Sequence, residues 1–192
     1  MESFEAWQGF FQDLKSRGLQ APRLVISDAH AGLKKAIERE FIGTSWQRCT
    51  VHFKRNIIDK LPKKEKGKII VDLKRILDAV TLNDARLFKD EFMTQYAENP
   101  KLENILQTLD EGFDDAIQYL NEPAKFHRLI RSTNSLERLN QEVRRRERVI
   151  RIFPNTQSAF RLIGALLMDY DEEQTKKKIL LGKDEGNAKR EI

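Results

Sequence analysis

With 192 residues, 40% of them hydrophobic and 34% charged, the chain holds too many core-forming residues for a disordered segment and can build one good-sized domain or two small ones. Its single cysteine, Cys49, excludes an internal disulfide and suits a reducing compartment, and no apolar run reaches the roughly 18 residues of a membrane span. The net charge of +5 is modest but concentrated: five of the eight residues from Arg144 to Arg151 are arginine, a stretch suited to a phosphate backbone or to a solvated helix face.

Phe4, Trp7, Phe11 and Leu14 recur at helical spacing and predict an amphipathic helix over about 3–17, ended by Gly18. Met1 and Glu2 lead straight into this segment, so no signal peptide is expected and a cytoplasmic protein is. Leu24, Val25 and Ile26 form a short unbroken apolar run over 23–28, which fits a buried strand of a mostly parallel sheet, and Asp28 closes it. A helix with Leu33, Ala36, Ile37 and Phe41 on one face follows, then a second strand at about 46–51. Strand, helix, strand is the order of an α/β sheet, in which ligands bind at the carboxyl ends of the strands.

From Phe53 to Phe126 only helical patterns occur. The expected stripes are Leu73, Ile76, Leu77 and Val80; Leu87, Phe88, Phe92 and Tyr96; Leu102, Ile105, Leu106 and Leu109; and Phe113, Ile117 and Leu120. A lysine-rich turn over 60–68 joins the first two helices. A further helix starts near Asn134 with Leu136, Leu139 and Val143 as its apolar stripe. Pro154-Asn155-Thr156 opens a long apolar helix through Tyr170, and the tail after about Gly182 has no periodicity.

Two acids stand in settings that suit chemistry. Asp28, at a strand end, can hold a hard divalent cation through oxygen, or it can cap the helix that follows. Glu137 completes an Asn134-x-x-Glu137 capping box, or it heads a helix face shared with Gln141, Arg144 and Arg148, where an acid could bind a metal and the arginines guide phosphates past it. Glu142 is the competing acid, lower in rank because it adjoins the apolar stripe. Cys49-x-x-His52 supplies half of a zinc site, but only His30 and His127 remain as further Cys or His ligands, so a full zinc set is not expected. His30 could reach a phosphate or a metal, or simply occupy a first helical turn.

The segments VISDAHAGLKKAI, WQRCTVHFKRNI and RSTNSLERLNQEVRRRERVIRIFPN, in that order, resemble the Mutator-type transposases in their bacterial insertion-sequence branch. The resemblance runs from about Phe4 to Tyr170. It implies an α/β fold with an incomplete ribonuclease H-like core, interrupted by an all-helical insertion, and a DDE triad of carboxylates. On that likeness Asp28 is the second Asp and Glu137 the Glu, both metal ligands for Mg²⁺ or Mn²⁺, and Cys49 and His52 match the family's C-x-x-H feature. The implied parts are a partial core over 1–52, a helical insertion over 53–127, a return to the core with the Glu helix over 128–180, and a tail over 181–192.

The resemblance further implies two cations driving an in-line displacement at phosphorus, with transposon ends and target DNA as partners. The phosphate contacts are expected at Arg144, Arg145 and Arg148, with Lys54 and Arg55 as lesser ones. The family's first Asp lies on an earlier strand. The only Asp before residue 28 here is Asp13, on the polar face of the first helix, so a C-terminal transposase part is expected, inactive alone and reliant on self-assembly or on a complementing transposase chain. Two other readings stay open at this point: a non-catalytic DNA-binding or transposition-modulating remnant, and a different nuclease completed by Asp169 or Asp171.

Overall fold

The computed structural model describes residues 3–62, 66–150 and 152–188, the last twelve of these by backbone alone. It divides into two compact units, one through residue 133 and one from residue 134.

The first unit opens with helix α1 (Phe4–Ser16), whose cap Ser3 accepts the Ala6 N–H. Gly18 ends it with φ near +98°, a conformation that costs glycine little, while its N–H and that of Leu19 bond back to Lys15 and Leu14. Strand β1 (Leu24–Ser27) and strand β2 (Ser45–Arg48) pair in parallel, Leu24 against Ser45 and Ser27 against Arg48, joined by helix α2 (Ala31–Glu40). Phe11, Leu33, Ala36, Ile37, Phe41 and Trp46 form a small core, with Phe4, Trp7, Leu14 and Val25 packed on it.

The second strand is shorter than its sequence predicts. It stops at Arg48, and helix α3 (Thr50–Asp59) begins where strand was expected up to Val51. The cause is local: Cys49 N–H donates to Ser27 C=O at 2.8 Å, Thr50 N–H turns away to Arg131 C=O at 3.0 Å, and Phe53 and Ile57 then enter a core at helical spacing.

Between Thr50 and Ile130 every regular element among the described residues is helical: α3, α4 (Lys66–Leu77), α5 (Leu82–Tyr96), α6 (Glu103–Ala116) and α7 (Ala124–Ile130), with short 3₁₀ turns at Pro100–Leu102 and Gln118–Asn121. Residues 63–65 of the expected lysine-rich turn lie outside the described residues. A second core joins α3, α4, α5 and α6 through Phe53, Ile57, Leu73, Ile76, Phe92, Leu102, Ile105, Leu109, Phe113 and Ile117.

Two stripe members face out instead. Val80 is 72% exposed because α4 ends at Leu77, leaving it in the link to α5, and Leu87 is 54% exposed because Ala85 and Phe92 set the inner face of α5. Buried Gln47 ties the sheet to the helices: its Nε2 donates to Ala116 C=O at 2.7 Å and to Arg48 C=O at 2.6 Å, while its Oε1 accepts the Tyr119 N–H at 2.7 Å.

The second unit contains α8 (Asn134–Ile150) and α9 (Thr156–Ala188). Asn155 caps α9 by accepting the Ser158 N–H. The helix runs on to Ala188, past Gly182 where the apolar periodicity ends; residues 189–192 lie outside the described ones. Leu136 of the expected α8 stripe is exposed, whereas Val143 joins Phe153, Leu162, Ile163 and Leu166 in lining an apolar groove. Among the described residues no helix is long and apolar enough to cross a membrane.

Candidate functional site

The parallel register brings the carboxyl ends of both strands to one level. Ser27 faces Arg48, so the next residues, Asp28 and Cys49, leave the sheet side by side. α3 begins at once and carries His52 on its first turn. One ligand atom each of Asp28, Cys49 and His52 thereby comes within 4.8 Å of the others.

Asp28 Oδ1 lies 2.5 Å from His52 Nδ1, and the two side chains are 57% and 26% exposed. Cys49 is fully buried, and its Sγ accepts from Thr133 N–H at 3.5 Å and Thr133 Oγ1 at 3.4 Å. A carboxylate open to solvent, an imidazole beside it and a sheltered sulfur thus meet where parallel sheets place their ligands.

The capping alternative for Asp28 falls away. His30 caps α2, its Nδ1 accepting the Leu33 N–H at 3.2 Å. Asp28 sits two residues before that cap, with its carboxylate turned to His52. His30 accordingly stands as the cap of α2 rather than as a residue of its first turn. His127 makes a contact of 2.6 Å with Glu122 C=O and stacks edge-on against Tyr119.

Arg48 belongs to this neighbourhood and was not singled out from sequence. Its guanidinium stacks 4.3 Å from the Phe53 ring centroid, and Gly112 of α6 leaves the room: a Cβ there would come within 2.4 Å of Arg48 Nη1 and 2.5 Å of Phe53 Cε2. Burial pushes the Arg48 pKa down from its ordinary value, against the opposing pull of Asp115 and Asp28. The signal in the sequence was its place directly before Cys49, at the end of β2. Lys54 and Arg55 follow on α3, half-buried and exposed respectively, and Arg55 shares a helix face with His52 at a spacing of three.

Glu137 stands on α8 in the second unit. Because α8 starts at Asn134, Glu137 is its fourth residue rather than the third that a capping box requires. Gln141, Arg144, Arg145, Arg148 and Val149 line one shallow groove.

Its members are not equivalent. Arg145 is clamped to Glu142 through two hydrogen bonds of 2.7 Å, and Arg146 adds a third at 3.0 Å. Those bonds, from Arg145 first and then Arg146, hold the Glu142 carboxyl down to about 2, against an ordinary 4.5. Glu142 is therefore an arginine-bound surface acid. A depressed pKa means that its pairing is complete above the usual carboxylate range and is lost as pH falls through about 2. The Glu142 carboxyl carbon should show that midpoint in an NMR titration, and a midpoint near 4.5 would exclude the clamp.

Comparison with known proteins extends along nearly the whole chain. The family described as "Transposase, Mutator family" matches residues 1–177. The chain is 51% identical over 172 residues to the transposase for insertion sequence element IS256 in transposon Tn4001 of Staphylococcus aureus, which covers 90% of this chain and 44% of that protein. It is 38% identical over 171 residues to the transposase for insertion sequence element ISRM5 of Rhizobium meliloti, covering 89% and 42%. It is 35% identical over 181 residues to the transposase for insertion sequence element IS1081 of Mycobacterium tuberculosis, covering 94% and 43%. The chain thus spans less than half the length of the curated relatives it matches. These similarities, together with the three motifs and the strand-end site, establish that the chain belongs to the Mutator family of transposases.

Proposed function

We propose that this chain is part of a DNA transposase that cuts and joins insertion-sequence ends by metal-assisted phosphoryl transfer, with Asp28 and Glu137 as two of three carboxylates in a ribonuclease H-like core. The observation that carries this reading is the exposed Asp28 carboxylate at the carboxyl end of β1, released from helix capping and set beside His52.

The donors fit a hard divalent cation through the oxygens of Asp28 and Glu137, whereas the Cys49 sulfur suits softer ions. When bound, Mg²⁺ or Mn²⁺ supplies charge to activate the attacking oxygen and to stabilise the leaving one. The residues of this chain do the rest. Asp28 directs its carboxylate outward from a rigid strand tip, and His52 orients it. Arg144 and Arg148 offer charge to the DNA backbone, and the half-buried Arg48 holds a fixed positive charge near Asp28.

The pairing of the two acids rests on the family resemblance of the segments that carry them. On this reading the helices over 53–127 form an insertion between the sheet and the Glu helix. The chain covers 44% of its Staphylococcus aureus relative, so the cutting and joining are proposed for the whole transposase rather than for these residues alone.

The test is a chimaera in which the corresponding 172 residues of the Staphylococcus aureus relative are replaced by those of this chain. It should cut that element's ends with Mg²⁺ or Mn²⁺. A folded chimaera that binds the ends without cutting would overturn the catalytic reading and leave a DNA-binding remnant.

The arginines are tested on the 192-residue chain. Arg144→Ala with Arg148→Ala should weaken binding to all DNA sequences and reduce the slope of log affinity against log salt by about two units. Arg145→Ala should change the slope less, because Glu142 already holds its guanidinium, and Glu142→Gln should steepen it. An unchanged slope in the double variant would remove the DNA-facing role of α8.

A further inference from the structure

We propose that Asp28, Cys49 and His52 form a binding site for a transition-metal ion of the zinc class, which shares Asp28 with the proposed Mg²⁺ site. Cys and His alone gave half a set, and the fold supplies the third ligand. The three donor atoms lie within 4.8 Å of one another, and they are a carboxylate oxygen, a sulfur and an imidazole nitrogen. That donor set selects Zn²⁺ or Co²⁺ over Mg²⁺, which prefers oxygen throughout.

The spacing is close to what such an ion needs. Bonds of about 2.0 Å to nitrogen and oxygen and about 2.3 Å to sulfur, in tetrahedral geometry, put the ligand atoms about 3.3–3.5 Å apart. Asp28 and His52 now touch at 2.5 Å, so a modest rotation of the exposed carboxylate opens the gap for an ion. Cys49 needs no movement of backbone, since it is pinned between the end of β2 and the start of α3.

A second observation points the same way. Thr133 directs both its N–H and its hydroxyl at the Cys49 sulfur, at 3.5 and 3.4 Å. Such supporting bonds commonly orient metal ligands. On binding, the Cys49 thiol loses its proton to solvent and its sulfur forms the bond to the ion. Three protein ligands leave a fourth position for water or a phosphate oxygen, the arrangement of an open rather than a structural zinc site. An ion bound here engages Asp28 and therefore competes with Mg²⁺ for it.

The test uses the 192-residue chain prepared free of metal. Titration with Co²⁺ should produce a thiolate-to-cobalt charge-transfer band at one equivalent, and Zn²⁺ should displace it. Cys49→Ser should abolish the band, and Asp28→Asn and His52→Ala should each weaken Zn²⁺ binding at least about tenfold. Asp28 is exposed, so its variant leaves the fold intact and keeps the test valid if Cys49→Ser unfolds the chain.

Glu137→Gln separates this site from the proposed catalytic one: it should leave Zn²⁺ binding unchanged while removing Mg²⁺-dependent cutting in the chimaera. Zn²⁺ binding that survives both Asp28→Asn and His52→Ala, or that is lost with Glu137→Gln, would overturn the three-ligand site. So would the absence of any cobalt–sulfur band in the unaltered chain.

Discussion

Asp28→Asn in the chimaera is expected to lower metal-dependent cutting of DNA about 10³-fold, with little change in folding or in DNA affinity. The reasoning is electrostatic. The substitution keeps the size of the side chain but removes the charge that holds a divalent cation at the strand tip. Charge stabilisation by such an ion contributes several kcal/mol to phosphoryl transfer, and about 4 kcal/mol corresponds to three powers of ten in rate.

Little stability should be lost. The Asp28–His52 contact is open to solvent on the Asp28 side, and exposed ion pairs contribute at most about 1 kcal/mol. Glu137→Gln should have a similar effect on cutting. The double variant should be hardly worse than either single one, since acids that serve one ion act as a unit. Parallel measurement of cutting, DNA affinity and thermal unfolding checks all three statements. A variant lacking Asp28 that still cuts at near-normal rate would remove the acid from the mechanism.

The largest structural effect is expected at Gln47. Gln47→Leu should destabilise the first unit by about 4 kcal/mol, because it replaces a fully buried amide with a side chain that cannot bond. Three bonds vanish together, to Ala116 C=O, Arg48 C=O and Tyr119 N–H. The Tyr119 donor and the Ala116 acceptor stay behind in a dry environment, and each unsatisfied group costs about 1–3 kcal/mol. The apolar gain of leucine offsets only part of this. For a chain of this size the midpoint of thermal unfolding should fall by roughly 10 °C. A fall of less than about 2 °C would show that the amide does not bind the sheet to the helices.

Legibility in the sequence followed the range of the forces involved. The helices were plain because burial repeats every three or four residues along one segment, as at Leu102, Ile105, Leu106 and Leu109, all buried. The end of β1 was plain because a short apolar run stops at a charged residue, whereas β2 was expected to run to Val51 and stops at Arg48. Single-residue decisions were not. The role of cap passed from Asp28 to His30, a choice made by one ring nitrogen and one backbone N–H. Val80 and Leu87 matched a helical period, yet one lies beyond the end of its helix and the other on the outer face.

The site was half legible. Asp28 and the Cys49–His52 pair stood out separately, but their meeting depends on the parallel register of two strands separated by a helix. The partners of Gln47 and Arg48 were invisible for a related reason. Gln47 acts on residues about seventy positions away, and Arg48 depends on a gap left by Gly112 on another helix. No local pattern encodes such partners.

The two-stranded ladder has a geometric consequence. β2 is flanked by β1 and covered by α6, whereas among the described residues β1 has only β2 as a strand neighbour. Its outer row of amide donors and carbonyl acceptors is a template for a newcomer. A strand added there in the same direction would finish next to Asp28, so its final side chain would hang over the same spot. Among the described residues the edge of Leu24–Ser27 is thus one along which the sheet can accept a further parallel strand.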